Sequence, residues 1–233
     1  MSEYLKKIVD ILEQIEKGEE KTIIAASKLV CEVIKNDGLI YTFGCGHSHL
    51  PGLDTFYRAG GLANVSAMLD TDLMLHNGAA KSSRMEKMIG IAPEIFRRYR
   101  PTGRDMIFIF SASGKNQVPV EMADTARSAS VPCVGVSSSS YFGRGGRLHE
   151  HVDIAIDCKV PYGDTCIGVG DAMMGGLSTA AACFILNSCL INGARLAYAD
   201  GFAPPIYLSG NVDGGREHNL ALEDMYLGRV KHL

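Results

Sequence analysis

Excess positive charge is missing from this chain. Its 23 lysines and arginines are outnumbered by 26 aspartates and glutamates, for a formal net charge of −3. It therefore lacks the electrostatic footprint of a nucleic-acid binder. The one basic cluster, Arg97, Arg98, Arg100 and Arg104, falls at the end of an expected helix, where cations complement the helix dipole. No apolar run reads as long enough to span a bilayer, so no membrane partner is expected. The opening residues, Met1 to Lys7, lead into a helical pattern with neither a hydrophobic signal core nor a cleavage site. Paired cysteine spacings are absent too: the seven cysteines are an odd count without a Cys-x-x-Cys. Buried reduced thiols in a cytoplasmic protein explain that better than disulfides or structural zinc. Cys45, in a glycine-rich loop, reads as a small packing residue rather than a nucleophile. Internal repeats, disordered linkers and a Walker A spacing are also lacking.

What is present is the alternation of an α/β domain. The 46% apolar and 21% charged content is ordinary for a globular chain, and 233 residues suffice for one well-packed domain. Residues 1–36 read as a helical hairpin: Leu5, Ile8, Leu12 and Ile15 share one helical face, Gly18 breaks it, and Ile23, Ala26, Val30, Val33 and Ile34 form a second stripe. Residues 39–196 form the expected core. Strands are expected at Leu39–Phe43, Ala63–Met68, Met106–Phe110, Pro132–Val136 and Val152–Ile156. Helices are expected from about Leu50 to Ala59, from a capping-box-like Ser83-Arg-Met-Glu86 with Pro93 interrupting or restarting it, from Val118, and from about Asp171 to Leu196. Residues 197–233 form a C-terminal extension with a last amphipathic helix holding Leu222, Met225, Tyr226 and Val230. This order predicts a three-layer αβα sandwich around a five-stranded parallel sheet. Ligands in such folds bind outside the carboxyl ends of the strands.

Three loops at those ends have unusual chemistry. Met106-Ile-Phe-Ile-Phe110 runs directly into Ser111-Ala-Ser-Gly-Lys-Asn116 and then a helix. A strand, a polar turn and a helix make an anion cradle: free N–H groups at the helix start, hydroxyl donors on Ser111 and Ser113, and close approach at Gly114. The other reading is a polar turn with an ordinary N-cap. The remaining loops are Gly44-Cys-Gly-His-Ser-His49, and Ser137 to Ser140 with Gly143-Arg-Gly-Gly146. Glycines and hydroxyls at three carboxyl edges converging on one pocket point to a small phosphorylated ligand.

These residues carry a resemblance to the sugar isomerase (SIS) domain family of phosphosugar isomerases and phosphosugar-binding regulators. Ser111 to Asn116 looks like that family's phosphate loop, and Gly44 to Ser48 like its first glycine loop. Gly46-His-Ser-His49, Phe56-Tyr-Arg-Ala-Gly-Gly61 and Ser209-Gly-Asn-Val-Asp-Gly214 resemble a branch related to phosphoheptose isomerase. The resemblance implies an SIS-type fold, a sugar-phosphate ligand and a homodimer or homotetramer. It leaves three functions open: an isomerase using enediol proton transfer, a phosphosugar lyase or etherase, and a non-catalytic sensor or assembly module.

The expected substrate-binding set is Gly46, Ser48, Ser111, Ser113, Gly114, Asn116, Ser137, Ser138 and Arg58. Arg58 has the competing reading of a helix ion pair. Isomerisation needs a base and a partner acid. Asp54 lies near the position where the resemblance implies a catalytic glutamate; it also reads as a solvated helix residue. His47 and His49 read as acid–base or phosphate-donating groups, or as loop histidines capping the next helix. A metal held by these two histidines is a further, lesser reading, but no third ligand is evident from spacing, so no metal and no other cofactor is expected. Glu217 and His218, in the polar stretch Asn211 to Asn219, read as the partner acid or as part of a surface turn. Asp164 and Asp171 flank a glycine-rich approach to the long helix without an assigned role.

Overall fold

The computed structural model describes residues 1–233. The chain opens with α1 (Glu3–Gly18) and α2 (Glu20–Lys35). Ser2 starts α1 by accepting the Leu5 N–H on its side chain. Then β1 (Ile40–Gly44) leads through a short 3₁₀ turn, Gly46–His49, into α3 (Leu50–Thr55), and β2 (Val65–Ala67) follows. After α4 (Ala79–Met85) and α5 (Ile91–Tyr99) come β3 (Met106–Phe110), α6 (Gln117–Ser128), β4 (Cys133–Ser137) and β5 (Ile154–Asp157). A hairpin of β6 (Ile167–Val169) and β7 (Ala172–Met174) precedes α7 (Ser178–Ala199), and α8 (Gly215–Tyr226) closes the chain.

The five main strands pair in parallel in the order β2-β1-β3-β4-β5. Alternate residues of each strand feed opposite faces, as the pleat requires. Ile40, Phe108, Phe110, Val134, Val136 and Ile156 pack with α1, α2 and α7. Tyr41, Phe43, Ile107, Ile109 and Cys133 pack with α5, α6 and α8. Both faces are covered, which is why β1, β3 and β4 are buried at every position. This is the three-layer αβα architecture expected from the alternation, and the SIS-type fold that the resemblance implies.

Several boundaries moved. α3 ends at Thr55, because Phe56 is extended and Tyr57 has φ 48°. Ser83 does not start a helix: it lies within α4, and Glu86 is that helix's C-terminal cap. The next helix starts afresh after Gly90, whose N–H reaches the Glu121 carboxylate on α6. The stretch expected to open the long helix at Asp171 is instead β7, the second arm of the β6–β7 hairpin, which turns at Gly170 with φ 58°. The helix itself begins at Ser178. With 22 residues, α7 is long and apolar enough to cross a membrane by length and composition, contrary to the expectation that no such run exists. In the fold it packs lengthwise on α2.

That packing depends on Gly193. A Cβ there would lie 2.4 Å from Val30 Cγ1 and 2.8 Å from the Ser27 carbonyl oxygen of α2. The second neighbour is backbone and has nowhere to go. Gly193→Ala is therefore expected to lower stability by about 1–3 kcal/mol, the usual cost of overpacking, although alanine is the better helix former. Urea unfolding of the variant beside wild type measures it.

Candidate functional site

The strand order reverses between β1 and β3. From β1 the chain steps outward to β2, then crosses back to β3 on β1's other side. The loops leaving β1 and β3 therefore part company, opening a crevice at the carboxyl edge of the sheet. A cleft of about 210 Å³ lies there. His47 and Ser48 line it from the first loop, Ser111, Ser113 and Asn116 from the second, Tyr141 from the loop after β4, and Asp164 and Ser178 from the start of α7. Two helix amino ends, those of α6 and α7, meet at this cleft.

The turn after β3 is shaped by its own serines. Ser111, only 6% exposed, accepts the Gly114 N–H on its side chain at 3.1 Å. Ser113 accepts the Lys115 N–H at 3.3 Å. Gly114 has φ 60°, a left-handed conformation that favours glycine, and its carbonyl receives the Arg147 and Leu148 N–H groups of the loop after β4. What remains is a set of donors without partners in the chain: the backbone N–H groups of Ser113, Asn116 and Gln117. Asn116 sits at the N-cap of α6 in extended conformation, yet its side chain makes no capping bond. The positive end of the helix dipole is therefore left for an anion.

The two glycines of loop one matter differently. A Cβ on Gly44 would fall 2.1 Å from the Ser48 carbonyl oxygen, so this tight return of the loop is open only to glycine. Gly46, with φ 58°, turns the chain but does not line the cleft. The His49 ring is buried, bonds back to the Gly46 carbonyl through Nδ1 and lies beside His76. Burial pushes its pKa below the usual imidazole value. His47 thus faces the cleft, and His49 holds the loop.

Other expected site residues stand elsewhere. Ser137 lies beneath Gly114, and Ser138 donates its hydroxyl to the Val160 carbonyl at 2.6 Å; neither lines the cleft. Asp54 and Arg58 form an ion pair four residues apart on the α3 side. Arg58 lines a separate groove of about 590 Å³ along α7, with Leu190, Ile191, Ala194 and Tyr198. Glu217 and His218 are at the far end of the sheet. The segment before α8 pairs with the approach to β2 through Leu62 and Ile206, and His218 Nε2 bonds the Ile206 carbonyl. The expectation that Glu217 or His218 supplies the partner acid is corrected for groups of the same chain: the tail docks at the amino edge. No three His, Cys, Asp or Glu side chains are grouped to hold a metal ion.

Two carboxylates in the cleft were not foreseen as site residues. Asp164 receives the Leu177 and Ser178 N–H groups on Oδ1, at 3.0 and 2.8 Å, and so caps α7. Glu86 reaches the cleft from the α4–α5 connection, half-buried, with the Asn116 amide against it. No local pattern could have revealed it, because thirty residues of chain separate it from the turn it faces. Burial raises its pKa above the usual carboxylate value, against the opposing effects of Asn116 and Lys87.

The SIS domain profile matches residues 3–138. The chain belongs to the SIS domain family. A UPF0309 protein of Caldanaerobacter subterraneus subsp. tengcongensis is 38% identical over 242 residues, covering 99% of this chain and 98% of that one. The phosphoheptose isomerase GmhA of Neisseria gonorrhoeae shares the fold with a TM-score of 0.55 at 14% identity, over 81% of this chain and 94% of its own. The Vibrio vulnificus NanR protein complexed with ManNAc-6P does so with a TM-score of 0.50 at 13% identity, over 97% and 67%.

A raised carboxylate pKa has a consequence for stability. The folded chain holds the Glu86 proton more tightly than the unfolded chain does. That contribution is fully present below the ordinary carboxylate pKa and is lost as pH rises through the raised value. Glu86→Gln removes the cost of ionisation, so the variant is expected to melt higher than wild type near about pH 8, with the gap closing towards about pH 4. Melting curves across that range check it.

Proposed function

We propose that the cleft binds the phosphate of a phosphorylated sugar and that the protein isomerises this sugar between aldose and ketose forms through an enediol. The observation that carries the first part is the trio of unpartnered N–H groups at Ser113, Asn116 and Gln117, with the hydroxyls of Ser111, Ser113 and Ser48 around the same space. Ser113 and Asn116 line the cleft and Gln117 opens the first turn of α6 beside them, a helix start where a dianionic phosphate is favoured. Membership of the SIS domain family, and the likeness in fold to a phosphoheptose isomerase and to a protein complexed with ManNAc-6P, support the same ligand class.

The second part follows from what surrounds the anion site. Moving a proton between adjacent carbons needs a titratable group one sugar length from the phosphate and donors for the developing oxyanion. Of the histidines and carboxylates expected to act, His47 is the one that lines the cleft. Asp54, His49 and His218 have partners outside it, namely Arg58, the Gly46 carbonyl and the Ile206 carbonyl, and Glu217 is exposed in the first turn of α8. A ligand-binding module would use the same phosphate site without that proton exchange, and a lyase would follow proton removal by expelling the group on the next carbon, so its product is the eliminated sugar rather than the isomer. Incubating the protein in deuterated water with aldose and ketose phosphates separates these readings. Deuterium entering the carbon next to the carbonyl is the expected result. Melting-temperature gains without exchange would leave a binding module. The double Ser111/Ser113→Ala variant is expected to bind sugar phosphate more weakly by about 1.5–3 kcal/mol for each charged hydrogen bond lost. Unchanged affinity would reject the phosphate site.

The assembly reading is a homodimer or a dimer of dimers. α7 carries a single charged residue, Arg195, and is apolar all round, yet Ile191 is 50% and Tyr198 73% exposed. Helices of that composition are normally buried on every side. On α1, Tyr4, Leu5 and Val9 are exposed as well. Light scattering at micromolar concentration is expected to give at least twice the 25.1 kDa chain mass, and Ile191→Glu is expected to shift it towards that mass.

A further inference from the structure

We infer that the Glu86 carboxylate is the base that carries the substrate's carbon-bound proton from one carbon to the next. This role rests on the isomerase reading above. Three features of the cleft carry it. Glu86 lines the same wall space as His47, Ser111 and Ser113, although it comes from a connection between two helices on one face of the sheet. Its backbone carbonyl accepts the Val118 N–H at 3.1 Å, in the first turn of α6. The carboxylate is thereby tied to the corner that offers the anion-binding N–H groups, and its distance from a bound phosphate is set by one rigid turn. It also has free acceptor capacity: no lysine, arginine or histidine lies within ion-pair distance of it.

The competing carboxylates are already engaged. Asp164 is held by the Leu177 and Ser178 N–H groups and the Ser178 hydroxyl. Asp54 is paired with Arg58 away from the cleft. A half-buried carboxylate with no cation costs stability. The fold has no need of this one as a cap: Glu86 ends α4 with its backbone, and its side chain leaves the helix for the cavity.

The proton transfer balances without a co-reactant. Starting from the aldose, the Glu86 carboxylate takes the proton from C2. The C2–H electron pair becomes the C1=C2 bond of the enediol, and the carbonyl oxygen on C1 takes up a proton. The carboxylic acid then returns its proton to C1, and the C2 hydroxyl releases its proton as the C2 carbonyl forms. His47, the other titratable group of the cleft suited to the task, exchanges the oxygen-bound protons. The groups that face or adjoin Glu86 are Asn116 against it, Lys87 beside it, Cys45 and His47 from the first loop, Tyr141 from the loop after β4, and Asp164 before α7; of these, Asn116 and Lys87 oppose the upward push of burial on its pKa.

The test is deuterium wash-in with a panel of five-, six- and seven-carbon aldose and ketose phosphates, on wild type, Glu86→Gln and Glu86→Asp. Glu86→Gln should lower exchange by about 10²–10⁴-fold while keeping the melting-temperature gain that the same sugar phosphate gives wild type. Glu86→Asp keeps the charge but withdraws it by one methylene, and should lose about 10²-fold. The acidic limb of the wild-type pH–rate profile should disappear in Glu86→Gln. Exchange at the wild-type rate in either variant, with wild type active, overturns the role of Glu86 and leaves the isomerase reading standing. Binding without exchange by wild type overturns the isomerase reading, and this role with it. If Glu86→Gln fails to fold, the Glu86→Asp rate alone decides.

Discussion

The reversal of strand order between β1 and β3 is the constraint on which the rest of this molecule depends. A parallel sheet buries its strands on both faces and so offers chemistry only at its edges. At most points along the carboxyl edge, consecutive loops cross to the same side and cover one another. Between β1 and β3 they diverge, and the space between them cannot be filled by either loop. The pairing of Gly44 with Phe110 brings the last residues of both strands level, so loop one and the serine turn leave the sheet side by side. His47 and Ser111 face one cavity because of that register, whatever their distance in sequence.

The cleft is also a place where helix ends are treated unequally. α5 begins with the Glu121 carboxylate on its first N–H groups, and α7 with Asp164. Each has its exposed donors neutralised by an acid from elsewhere in the fold. α6 has at its N-cap an asparagine, a residue that normally satisfies such donors with its own side chain. Here the side chain is turned towards Glu86, and the donors stay open. An unmet donor is a loss in stability unless a ligand repays it. Donors left open at one helix start, while two neighbouring helices are capped, are the asymmetry on which the proposed phosphate site rests.

How much of this was legible follows from the range over which each signal acts. β3 was found to the residue, because five consecutive apolar positions bounded by a charged turn and a serine turn admit little else. The parallel sheet followed from alternation alone. The hairpin at 167–174 was misread because apolar periodicity does not distinguish a short strand pair from the first turns of an apolar helix. Gly170 in a left-handed conformation decided it. α3 was read too long because nothing in Phe56-Tyr57-Arg58 announces that Tyr57 leaves helical space. For the site, the loops were legible as compositions of glycine and hydroxyl, which is a local property. The exclusion of Ser138 and Asp54 was not, since it depends on Val160 and Arg58 having taken them first. Glu86 was invisible for the same reason in reverse: its capping role was plausible locally, and only the assembled cleft wall, with Asn116 against the carboxylate, shows where its side chain goes.

The placement of the tail bears on where the chemistry of this family member must come from. Ala63 and Tyr207 exchange backbone bonds with Pro205 and Gly61, which stitches the C-terminal extension to the entrance of β2. Arg229 pairs with Asp37 just before β1, and Lys231 reaches the Arg98 carbonyl in the last turn of α5. Every one of these anchors is at the amino edge of the sheet. Within one chain the extension therefore seals the end opposite the cleft. The acid–base groups left to the cleft are those of the first three loops and connections. His47, Ser48, Glu86, Ser111, Ser113 and Asn116 all fall inside residues 3–138, the span shared with the SIS domain profile. Asp164 and Ser178 lie beyond it and serve the α7 start. The segment that defines the family is thus also the segment that holds the open donors and the unpaired carboxylate, while the remainder of the chain closes the core around them.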